Sequence, residues 1–123
     1  MAAGEYLRAA ASSLHRAANT LHQQTLELQT NLTRLKSEKT SIIDKNKLHI
    51  KTSQAEQMAV QDQGRQSRLS QKIQQLQNEI MAAEAELKRA EADIQNAVAT
   101  KVNQAAGIEN QAKQLESQAG SLD

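Results

Sequence analysis

Residues 61–68 read QDQGRQSR, the least regular patch of a chain that is otherwise helix-like on both sides. The fold is decided here: either the chain turns at this patch, or it runs through as one rod. Gly64 tolerates left-handed backbone and suits a helix C-terminus. Ser67 is suited to cap a following helix. The stretch therefore predicts a first helix over about 5–62, a turn over about 62–67 centred on Gly64, and a second helix over about 67–119.

The flanks are built for helix. Proline, cysteine, tryptophan and phenylalanine are absent, and Tyr6 is the sole aromatic residue. Large aromatics usually supply much of a globular core, so a compact single-chain globule is not expected. Ala, Gln, Leu, Glu, Lys and Arg dominate, and these are the best helix formers. Low hydrophobicity with abundant glutamine is also the composition of a disordered chain, and periodicity decides between the two. Leu7, Leu14, Leu21, Leu28, Leu35 and Ile42 recur every seven residues, with Ala11, Ala18, Thr25 and Leu32 between them. Beyond Gly64 the steps of four and three resume through Leu69, Ile73, Leu76, Ile80, Ala83, Leu87, Ala90, Ile94 and Ala97. The stripe then shifts to Val98, Val102, Ala105, Ile108, Ala112, Leu115, Ala119 and Leu122. Sustained 4-3 spacing marks a helix buried along one seam, and the slip near 94–102 has the form of a stutter. The first seam weakens over residues 44–54, where Ile43 and Ile50 keep a seven-residue spacing on a displaced stripe. A register change is expected there; a break near Asn46, giving three helices, is the alternative.

Charge favours the turn over the rod. A hinge at 63–64 sets residue i beside roughly 127 − i. Residues 34–51 hold Arg34, Lys36, Lys39, Lys45, Lys47 and Lys51 against Glu38 and Asp44. Their expected partners, residues 76–93, hold Glu79, Glu84, Glu86, Glu91 and Asp93 against Lys88 and Arg89. Basic faces acidic only if the chain doubles back, and flanking charges of this kind choose orientation in coiled coils. Each exposed pair contributes only about 0.2–1 kcal/mol, so their value is discrimination. The fold class is all-α: a long antiparallel two-helix coiled-coil hairpin forming one helical domain over residues 1–123.

Many seam positions are alanine, which buries little area, so the hydrophobic gain of a lone hairpin is thin. Met81, Ala85, Ala92 and Ala99 lie nearly opposite the leucine stripe and form a candidate second interface. Assembly into a four-helix bundle or a larger helical array is expected.

Chemistry-bearing motifs are scarce. His15 and His22 lie on one side of the first helix without a nearby carboxylate in sequence, a weak metal signal. No G-x-x-x-x-G-K-[ST] or G-x-G-x-x-G occurs, and no serine stands in a nucleophile turn. The acidic residues at 79–93 alternate with cations, and a two-helix rod offers no dry cleft to shift their pKa values. The cations of 34–51 scatter around the helix, and there is no aromatic there for base stacking. No cofactor or metal is expected, and nucleic acid and a membrane surface are the less favoured partners. The expectation is a non-enzymatic structural or interaction protein that self-assembles or scaffolds other helical proteins. The alternatives are a secretion-associated accessory protein or chaperone holding a client helix, and a membrane- or granule-surface coat. The expected location is the cytoplasm, or outside it by a route needing no signal peptide. In general look the chain is similar to small coiled-coil hairpins of type III export stalks, phasins and type VII secretion partners, without the W-x-G turn of the last group.

Overall fold

The computed structural model describes residues 3–122. Two helices, α1 (Ala3–Ala59) and α2 (Gln63–Leu122), are packed against each other as an all-α hairpin. α1 is unbroken through Asn46, so the three-helix alternative is excluded.

The turn is shorter and earlier than expected. Among the described residues only Val60, Gln61 and Asp62 lie outside the helices. Gly64 is a helical residue in the first turn of α2, and Ser67 lies deeper in the same helix. Asp62 is the cap: its Oδ1 accepts from the Gly64 amide at 3.0 Å, and its carbonyl accepts the first helical bond, from Gln66, at 3.0 Å. Such a cap satisfies amides that a helix start leaves without partners. Among the described residues none has positive φ, so the turn needs no left-handed glycine. The side chain of Gln66 reaches back to the Val60 carbonyl at 2.6 Å and Arg65 pairs with Glu56, which ties the two helix ends together.

The chain divides into two compact units. The turn unit is Leu32–Ala92. Its core is Ile43, Ile80 and Ala83 with Ile50 packed against them, and Leu69, Ile73 and Leu76 are buried as well. Ile42 is not on this seam: it is 45% exposed, against 8% for Ile43. The packed row of α1 runs Leu35, Lys39, Ile43, Asn46, Ile50, Ser53, buried at Ile43, Asn46 and Ser53 and half-buried at the others. Two successive steps of four replace a four and a three, so the seam slips by one position in the manner of a stutter. Lys39 bridges the slip, laying its stem along the seam while its ammonium reaches outward.

The terminal unit comprises residues 3–31 and 93–122 of the described chain. Its buried row is alanine: Ala11, Ala18, Ala105, Ala112 and Ala119, joined by Thr25. The Thr25 hydroxyl donates to the Leu21 carbonyl at 3.0 Å, so its burial leaves no unpaired donor. Leu7, Leu14, Leu21, Leu28, Ile108 and Leu115 stand beside this row, half-buried. Val102 is 45% exposed and Leu122 is also exposed. The α2 row here runs Ile94, Val98, Lys101, Ala105, in steps of four, three and four, which puts half-buried Lys101 on the row and leaves Val102 outward.

Candidate interaction surfaces

The turn unit is bordered by a charged ladder. Lys36 Nζ lies 2.6 Å from Glu91 Oε1, and Lys39 Nζ pairs with Glu86 Oε2. Asn46, one heptad after Lys39, donates from Nδ2 to Glu79 Oε2 at 3.0 Å. Each pairing falls within two positions of the 127 − i relation. The basic and acidic thirds thus meet through two ion pairs and an amide contact. Arg34, Lys45, Lys47, Glu84 and Asp93 carry no ion pair among the described residues. Lys39, by hydrogen bonding and then by its charge, holds the Glu86 carboxyl below the usual carboxylate range.

Sequence reasoning expected a register change over residues 44–54 and held a break near Asn46 as the alternative; Asn46 is a buried polar residue of the seam. Its signal was available in the seven-residue spacing of Ile43 and Ile50, which brackets Asn46 on the displaced stripe. Met81 is 66% exposed, and Ala85 and Ala92 are exposed on the same helix. Ala99 is exposed within the terminal unit. These four lie off the packed seam.

The terminal unit has two unlike edges. Along one, His15 Nε2 lies 2.6 Å from Glu116 Oε1, and His22 Nε2 lies 3.6 Å from Glu109 Oε1. Both pairs step by seven residues on each helix, so they repeat along one side of the alanine row. The carboxylates missing from the first helix are supplied by the second. Among the described residues, no three His, Cys, Asp or Glu side chains gather as a metal site. Along the other edge an open groove of about 750 Å³ is lined by Ala17, Thr20, Leu21, Gln104, Gly107, Ile108 and Gln111. At about 100° per residue, Leu14 and Leu21 fall on the groove side of the alanine row, and His15 and His22 on the other. The same holds in α2 for Ile108 and Leu115 against Glu109 and Glu116.

Among the described residues, no helix is long and apolar enough to cross a membrane. Comparison with protein-family models, curated proteins and solved structures finds no match for the chain.

Proposed function

We propose that this chain is a non-enzymatic coiled-coil interaction protein that works by packing its helices against further helices, in self-assembly or as a scaffold. One observation carries the proposal. Among the described residues no large side chain is fully buried; those wholly removed from water are small, while the leucines beside them stay half-exposed. Fully burying a leucine stabilises by about 1.5–3 kcal/mol, and an alanine methyl by far less. The terminal unit, whose leucines are the half-exposed ones, therefore leaves much of its available apolar stabilisation unrealised, and a second layer of helices supplies it. The paired charges of the turn unit support the same function, since they fix helix orientation more than they add affinity.

The test is thermal unfolding by circular dichroism across a hundredfold range of protein concentration, alongside light scattering. Self-assembly predicts a midpoint that rises with concentration and a mass above that of one chain. For a scaffold, the same rise appears only when a partner helix is added. A concentration-independent, fully helical monomer that no helical partner stabilises would refute the proposal.

A further inference from the structure

We infer that the turn unit docks on an anionic lipid surface through the outward face of α1 near the turn. The inference goes beyond the helix-packing function proposed above, because it uses residues that lie off the packed row.

Charge points to a partner of opposite sign. Between Asp44 and Glu79 stand Lys45, Lys47, Lys51, Arg65, Arg68 and Lys72, against only Glu56 and Asp62. With His49 neutral that is a balance of +4, in a chain whose net charge is +1. Both acids are already engaged: Glu56 pairs with Arg65, and Asp62 caps α2. The other five cations are exposed and have neither an ion pair nor a hydrogen bond among the described residues. Lys36 and Lys39, by contrast, each meet a glutamate across the hairpin. Like charges left uncompensated repel one another, and an anionic partner relieves that.

The three lysines share a face with exposed apolar side chains. Leu48, Lys51, Ala55 and Met58 follow in steps of three, four and three, which sets them on one side of α1. At about 100° per residue that side is turned from the packed row of Ile43, Asn46, Ile50 and Ser53. Leu48 is 63% exposed and Met58 89%. Lys45 precedes Leu48 by three residues and Lys47 precedes Lys51 by four, so a lysine flanks the apolar line on each side. Two acids border the face: Asp44 at its far end, and Glu56 at one margin, where Arg65 offsets its charge.

This mixture selects a lipid surface. Exposed leucine and methionine add nothing to phosphate contacts on a nucleic acid, and the face has no aromatic residue to stack on bases. Its cations are all lysine, which lacks the planar fork by which arginine grips a carboxylate in fixed geometry. Lysine stems can instead lie along apolar surface while their ammonium groups rise to headgroups, and the apolar side chains enter the acyl boundary. Two large apolar residues are too few to anchor a helix without charge. Attachment therefore depends on anionic lipid, is reversible and weakens with salt.

Co-sedimentation of the full chain with vesicles tests the inference, with circular dichroism as the control for folding. Vesicles of phosphatidylcholine and phosphatidylserine at about three to one should bind it, and pure phosphatidylcholine should bind about tenfold more weakly or less. Lys45→Gln, Lys47→Gln and Lys51→Gln together change exposed residues without partners, so helicity should persist while binding to the anionic vesicles falls about tenfold or more. Leu48→Gln with Met58→Gln should weaken it several-fold and leave its salt dependence in place. No binding to the anionic vesicles, or equal binding to both kinds, overturns the inference. Indifference to either set of substitutions overturns docking through this face. Retention by a DNA duplex but not by anionic vesicles assigns the charge to nucleic acid and overturns the lipid surface. None of these substitutions alters the packed row, so each failure leaves the helix-packing function standing.

Discussion

At the scale of the residue, Lys39 and Asn46 show how polar groups are used at a helical seam. Both stand on the packed row of α1 one heptad apart, Asn46 buried and Lys39 half-buried, and both reach a glutamate on α2. Lys39 lowers the proton affinity of Glu86 in the folded state. The folded carboxyl thus has a pKa below its unfolded value, near 4.5, and the resulting stability is present above that value and lost as pH falls through the folded one. Urea midpoints measured between roughly pH 3 and 7 should therefore converge for the wild type and Lys39→Met at the acid end, and differ most near neutrality. A constant offset across the range would show that Lys39 contributes through its alkyl stem alone. Asn46 has a different role. A polar residue at a core position costs stability and specifies register. Asn46→Leu should raise the unfolding midpoint, by about 1 kcal/mol or more in stability, while loosening the pairing. Paired spin labels at exposed positions such as 48 and 81 should then report a broader distance distribution than in the wild type.

At the scale of the element, the charged thirds of the two helices select the antiparallel arrangement. Lys36→Glu with Lys39→Glu should destabilise the fold by about 1–2 kcal/mol, given about 0.2–1 kcal/mol per exposed pair and the added repulsion. Adding Glu86→Lys and Glu91→Lys should recover most of the loss in the same denaturation assay; no recovery would mean that these pairs do not choose the orientation. Much of the hairpin was legible in the sequence, because basic and acidic runs at matching distances from a hinge require only counting. The seam was legible wherever steps of four and three alternate. It was misread at Ile42 because the helix takes two steps of four in succession, from Leu35 through Lys39 to Ile43, while Ile42 still keeps its heptad spacing from Leu35; at Val102 it was misread because the step after Val98 is three and not four. Lys39 and Lys101 stand on the packed row beside those positions, and a charged residue on an apolar row is easily read as surface. The turn was misplaced because Gly64 is the more conspicuous punctuation, whereas a capping aspartate two residues earlier does the work without left-handed backbone. The groove was not legible at all, since it depends on which side of the alanine row each leucine takes.

At the scale of the whole molecule, the two units are held together by different materials. The turn unit draws its buried residues from isoleucine and leucine, largely supplied by α2. The terminal unit draws them from alanine, with its larger side chains displaced to the edge. Ordinary cores fail by erosion, losing about 2–5 kcal/mol when a buried leucine is cut to alanine. The alanine row inverts that vulnerability. At low protein concentration Leu21→Ala should cost the terminal unit about 1 kcal/mol, since the side chain is only half-covered, whereas Ala18→Leu should cost about 1–3 kcal/mol by forcing the backbones apart. Hydrogen exchange at amides of residues 11–25 distinguishes the two, with faster exchange expected in the crowded variant. Growth rather than loss is the dangerous direction of change along that row: random substitution can only enlarge alanine, glycine apart, so this part of the chain is brittle to mutation.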